Sequence, residues 1–197
     1  VFESAPGRII VASFASQISR MQQVADAAVK HDRKIAFVGM SMVDNSKMAR
    51  KMGYLEVPEK TLVSLEQAVG MPAKDVVLMC TGSQGEPSSI IGRLATGTNR
   101  HFGLKPDDTI VLSSHPIPGN EESVNKAINS LFRRGADVIY DALAPIHVSG
   151  HASQEEMKLL LNLVRPKHFV PMHGEFHMLK HHSRMAQEMG IPAENIQ

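Results

Sequence analysis

His147, Ser149 and His151 fall within five residues, separated by Val148 and Gly150. Imidazoles bind phosphate, exchange protons near neutral pH and ligate metals. A serine hydroxyl and loop N–H groups donate to phosphate oxygens, and Gly150 lets the chain turn tightly around a small ligand. Downstream, His173 ends the apolar run Val170-Pro171-Met172 and precedes Gly174-Glu175. That places one imidazole at a strand end. Seven of the ten histidines lie between His147 and His182. His173, His177 and His181 recur every four residues, a helical spacing that allows a metal site. Glu175 is the carboxylate among them, and zinc needs three or four ligands. A solvated helix face is the competing reading.

Two other stretches can meet an anion. Ser16-Gln17-Ile18 joins a predicted strand to a predicted helix, with Ser16 at the expected N-cap. Free N–H groups there, with the Ser16 hydroxyl, suit a phosphate at the carboxyl end of a parallel strand. The string TGSQGEP at 81–87 joins another strand to a helix. It reads either as a glycine loop presenting N–H groups or as a tight turn. Neither a GxGxxG nor a GxxxxGK[ST] fingerprint is present. Ser113, Ser114 and His115 end a further strand and can line a pocket. Cys80, the single cysteine, sits in an apolar run and reads as buried. The twelve methionines and seven phenylalanines read as core packing.

These residues need elements to hold them. Apolar, β-branched runs at 8–14, 34–39, 76–80, 109–113 and 137–140 read as buried strands. Helical periodicity follows at 17–30, 42–52, 61–69, 87–95 and 121–134. Five strand–helix alternations predict an α/β fold, a parallel sheet with helices on both faces. Beyond residue 144 the pattern changes to a loop at 145–151, a helix at 155–164, a short strand at 168–172 and a helix at 174–189. A domain boundary is expected near 142–146.

Composition sets the limits. The chain has 197 residues, 43% hydrophobic and 21% charged, enough for a packed core. No apolar run approaches 18 residues, so no membrane span is expected. The lone cysteine suits a reducing, cytoplasmic setting. A net charge of +1 excludes a protein that grips a polyanion by bulk charge, so any nucleic-acid contact must be local. The first residue is Val1, which suggests a processed chain or a piece of a longer one.

The strings GRIIVASFAS (7–16), CTGSQGEP (80–87), PIPGNE (116–121), HVSGH (147–151) and PMHGE (171–175) appear in this order. Jointly they resemble the ribonuclease J family, in the β-CASP group of the metallo-β-lactamase superfamily. The resemblance spans residues 7–175. It implies a Rossmann-like β-CASP domain over 1–144, then an incomplete helix–strand–helix segment of the metallo-β-lactamase core over 145–197. The implied activity is zinc-dependent hydrolysis of RNA phosphodiester bonds, as a 5′-to-3′ exonuclease, an endonuclease or both. His151 would act in acid/base chemistry, His173 would ligate zinc, and His147, Val148, Ser149, Gly150 and His151 would cradle an RNA phosphate. Ser16, Gln17 and Ile18 would contact substrate, although Gln17 stands where asparagine is usual and Ser19 where histidine is usual. Two zinc ions, single-stranded RNA and a cytoplasmic homo-oligomer are implied for the parent enzyme. The superfamily's HxHxDH signature is not in the chain, so the piece by itself is expected to be inactive. Two other readings stand beside this one. One is a non-catalytic Rossmann-like module for a nucleotide or sugar phosphate. The other is an autonomous zinc enzyme built on the C-terminal histidines.

Overall fold

A computed structural model describes residues 1–141, 143 and 150–197. The chain divides into two compact units, Val1–Val148 and Ser149–Gln197.

The first unit is built on five short strands: β1 (Ile9–Ala12), β2 (Lys34–Phe37), β3 (Val76–Cys80), β4 (Thr109–Leu112) and β5 (Asp137–Ile139). They form one all-parallel sheet in the order β2-β3-β1-β4-β5. Strands covered on both faces read as unbroken apolar runs, which is why they stood out in the sequence. Five helices cover them: α1 (Ile18–Lys30), α2 (Met40–Lys51), α3 (Leu65–Gly70), α4 (Ile90–Thr96) and α5 (Glu121–Arg133).

Alternation along the strands sorts the core into two layers. Ile10, Leu78, Cys80 and Ile110 face α3, α4 and α5. Ile9, Val11, Val77 and Met79 face α1 and α2. Both layers are dry: Ile9, Ile10, Leu78 and Met79 are fully buried. One buried ion pair sits at the amino edge of the sheet. Arg8 Nη2 lies 2.6 Å from Asp108 Oδ2 and also donates to Gly103 O at 2.9 Å.

The second unit holds α6 (Gln154–Val164) and α7 (Phe176–Glu188). Its core is Leu161, Met185, Ala186 and Ile191. The expected strand at 168–172 does not form. Phe169 makes a single bridge to Ile196, while Val170 and Met172 are exposed. An apolar run becomes a strand only where a neighbour completes its ladder, and among the described residues none does. The expected helix at 174–189 begins later, at Phe176. His173 therefore lies outside it, and His173, His177 and His181 do not form one helical stripe.

Two further expectations are corrected. Ser16 is exposed and does not cap α1; Gln17 is the N-cap residue, with no side-chain cap. The turn is closed by backbone instead, with Gln17 N–H donating to Phe14 O (3.1 Å) and Ile18 N–H to Ser16 O (3.0 Å). The helix expected over 61–69 starts at Leu65. Ser64 and Gln67 form a capping box there, with reciprocal bonds of 3.2 and 2.9 Å.

Candidate functional site

In the second unit, Ser153 caps α6. Its Oγ accepts from Glu156 N–H (3.3 Å), and its own N–H donates to Glu156 Oε2 (2.7 Å). These bonds hold the Glu156 carboxyl below the ordinary carboxylate range, the Ser153 backbone N–H contributing most. The cap fixes where the chain enters the helix, and His151 stands two residues ahead of it. His173 has φ +64°, a left-handed backbone uncommon for a residue with a Cβ, and Gly174 follows. That turn sends the chain into α7. The His151 and His173 rings stack, with centroids 5.9 Å apart and planes inclined by 19°.

Both imidazoles line a cleft of about 810 Å³, with Met172, His181, His182 and Arg184 on other walls. His182 also meets the Phe169 ring edge-on at 4.9 Å. His177 does not line this cleft; its Nδ1 lies 3.5 Å from Glu175 Oε2. The sequence marked His151 and His173, and the structure brings them together. It adds His181, marked in the sequence by its four-residue spacing from His177, and His182, marked only by the crowding of histidines. His147, Val148 and Ser149 lie outside the described residues; Gly150 lies within them and is exposed.

A catalytic zinc takes three protein ligands and an open position. Among the described residues no group of three or more His, Cys, Asp or Glu side chains is arranged to hold a metal. The stacked pair offers two imidazoles, so these residues fit part of a donor set and do not make a zinc site by themselves.

In the first unit, β1 leads to α1 on one face and β3 leads to α4 on the other. Adjacent strands whose connections part in this way leave a crevice at their carboxyl ends. A cleft of about 420 Å³ lies there. It is lined by residues 13–15 after β1, Ser41 at the start of α2, residues 81–83 after β3, and Glu86, Ser88 and Ser89 ahead of α4. Six of these ten residues carry hydroxyls, and none is basic. Phe14, Ser41 and Ser88 were missed in the sequence. Their signal was position: Phe14 ends a predicted strand, and Ser41 and Ser88 stand at predicted helix starts. Ser16, Gln17 and Ile18 follow the cleft residues in the chain but do not line it, and the Ile18 N–H is already used.

The TGSQGEP string acts as a fastener. A Cβ at Gly82 (φ +115°) would overlap Ser89 Oγ, and one at Gly85 (φ +74°) would lie 2.6 Å from Ser123 backbone. Buried Gln84 donates to Ser114 Oγ (3.0 Å) and His115 O (2.9 Å) and accepts from Ile117 N–H (2.7 Å). The string thus ties the β3–α4 loop to the β4–α5 loop. His115 Nδ1 in turn lies 2.6 Å from Asp141 Oδ2. Cys80 is fully buried, and burial pushes its thiol up to about 12, so it is no nucleophile.

Comparison with known proteins also divides the chain in two, but earlier, between residues 131 and 136. Residues 6–131 match the ribonuclease J β-CASP domain family, and residues 136–195 match the Zn-dependent metallo-hydrolase RNA specificity domain. The whole chain is 48% identical to ribonuclease J 1 of Streptococcus pyogenes, covering 35% of that protein. It is 47% identical, again over its whole length, to ribonuclease J of Synechocystis, covering 31%. Over 98% of its length it is 46% identical to ribonuclease J of Thermus thermophilus, covering 34%. The chain spans about a third of the length of these curated relatives.

Proposed function

The chain belongs to the ribonuclease J family, in the metallo-hydrolase superfamily, and from that premise we propose that it is the RNA-engaging portion of a zinc-dependent ribonuclease. The observation that carries this reading is the stacked His151–His173 pair in a cleft of the unit matched by the RNA specificity domain. The substrate is single-stranded RNA, cut as a 5′-to-3′ exonuclease, an endonuclease or both. Residues 1–144 are the β-CASP domain and residues 145–197 return to the metallo-hydrolase core.

Hydrolysis breaks a P–O bond, adds hydroxide to phosphorus and leaves an oxygen that needs a proton. Two zinc ions, held in part by His173 in the complete enzyme, would supply hydroxide at neutral pH and relieve phosphate charge. His151 delivers the proton to the leaving oxygen, a role worth about 10²–10⁴-fold. His173 donates one imidazole to the metal set. Gly150 and the preceding His147, Val148 and Ser149 hold the phosphate beside the scissile bond. Ser16, Gln17 and Ile18 touch the RNA chain further along. Near-neutral net charge suits a protein that grips few nucleotides at a time.

The test is His151→Ala in the full-length enzyme, assayed on 5′-labelled single-stranded RNA with Zn²⁺. Turnover should fall about 10²–10⁴-fold while RNA affinity changes little, because a proton-transfer group acts chiefly in the transition state. His173→Ala should lower the zinc content measured by elemental analysis. Unchanged turnover in His151→Ala would overturn the assignment. The 197-residue chain by itself should bind RNA without cutting it.

A further inference from the structure

The 420 Å³ cleft at the carboxyl edge of the sheet is within the size range of ligand sites, yet its chemistry is unusual for a protein that handles RNA. No lysine, arginine or histidine lines it, and its one charged lining residue is Glu86. A phosphate placed there would face a carboxylate with no cation beside it, a like-charge contact. Hydroxyls of Ser41, Thr81, Ser83 and Ser88 offer neutral donors and acceptors, and half-buried Phe14 offers an aromatic wall. Bases stack on aromatic faces, and ribose is distinguished from deoxyribose by hydrogen bonds to its 2′-OH.

Building on the RNA-binding reading above, we propose that this cleft holds an uncharged ribonucleoside moiety of the RNA chain, its base against Phe14 and its sugar hydroxyls toward Glu86 and the Thr81–Ser83 hydroxyls. Glu86 is suited to this. One of its oxygens, Oε2, accepts from Gln84 N–H at 3.2 Å, which anchors the side chain. The carboxylate then accepts from a sugar O–H. The cleft is thereby a subsite that rejects phosphate and reads sugar, while the phosphates on either side are held elsewhere.

The test is an amide chemical-shift titration of the 197-residue chain with adenosine, with inorganic phosphate, and with a six-nucleotide single-stranded RNA or its DNA counterpart. Adenosine and the RNA should shift the amides of Phe14 and residues 81–83; phosphate should not. Phe14→Ala should weaken RNA binding about tenfold. Glu86→Gln, which keeps an acceptor for Gln84 N–H, should reduce the preference for RNA over DNA about threefold to tenfold without loss of thermal stability. If RNA binds but shifts only Ser16, Gln17, Ile18 and His151, the cleft proposal fails and the RNA-binding reading stands. If phosphate shifts residues 81–83 more than adenosine does, the proposal is overturned in favour of an anion site. If RNA shifts nothing anywhere, both readings fail together.

Discussion

The two units of this chain solve the same problem to different degrees. In Val1–Val148 strands β1, β3 and β4 are buried from end to end, and the two core layers contain fully buried Ile9, Ile10, Met21, Leu78, Ile91 and Leu131. In Ser149–Gln197 the core is four residues, while α6 leaves Leu159, Leu160, Leu163 and Val164 more than half exposed. Met172 and Phe176 are exposed as well, at 77% and 73%. Apolar burial is the main favourable term in folding, so the first unit carries its own stability and the second is marginal. The difference matters for function. The sheet-edge cleft rests on a rigid frame, whereas the His151–His173 cleft rests on a cap, a left-handed turn and a small core.

The largest test of this contrast is to separate the units. A fragment of residues 1–148 should unfold cooperatively, with Cys80 alkylated at least about a thousandfold more slowly in buffer than in urea, because reaction needs a globally open state. Residues 149–197 as a peptide should show a broad, non-cooperative thermal transition by circular dichroism. A cooperative transition in the peptide would break the comparison.

Within the first unit, the buried Arg8–Asp108 pair sets the next scale, with side chains 3% and 0% exposed. Asp108→Ala strands a buried guanidinium and removes an acceptor from Lys105 N–H, so urea denaturation should show a loss of about 3–5 kcal/mol. A loss under 1 kcal/mol would mean that water reaches Arg8 and that this edge of the sheet is looser than its burial indicates.

Truncating one leucine in each unit sharpens the contrast. Leu78→Ala removes a fully buried side chain from the middle strands and should cost about 3 kcal/mol. Leu161→Ala, 8% exposed in a small core, should cost about 2 kcal/mol, the low end of the range, because that site can collapse. Equal costs in chemical denaturation would show that the second unit is packed as tightly as the first.

The smallest effect is local to α6. Ser153→Ala deletes the cap and should lower helix stability by about 1 kcal/mol, read as faster amide exchange over residues 154–157. The same cap gives α6 a pH dependence. Glu156 is held below its unfolded pKa, so its contribution is complete above the ordinary carboxylate range. That contribution disappears as pH falls through the lower folded value. Amide protection in the first turn of α6, measured relative to the intrinsic exchange rate at each pH, should therefore fall on acidification in the wild type, and much less in Ser153→Ala.

Much of the first unit was readable because its physics is local. A strand buried on both faces needs an unbroken apolar run, and Val76–Cys80 is one from end to end. Helices α1 and α5 declare themselves by the spacing of Met21, Val24, Ala25 and Ala28, and of Val124, Ala127, Ile128 and Leu131. The capping box at Ser64 and Gln67 was also written in residue types and spacing, although the helix was expected to start at 61. The HVSGH and PMHGE strings marked His151 and His173 by composition and position.

Other features depend on what comes near in space. Among the described residues, 168–172 have a strand's composition but one bridge partner, Ile196, so composition could not make them a strand. Whether TGSQGEP holds an anion or fastens two loops depends on how closely Ser123 approaches Gly85 and on where Gln84 finds its partners. The strand order β2-β3-β1-β4-β5 creates the crevice between the ends of β1 and β3 and gathers Phe14, Ser41, Thr81 and Glu86 around it. By itself the sequence determined which segments are buried and which are capped, because burial and capping act over a few neighbouring residues. Which distant loops meet at a cleft was decided by the tertiary structure, because strand order and face choice are set by packing across the whole sheet.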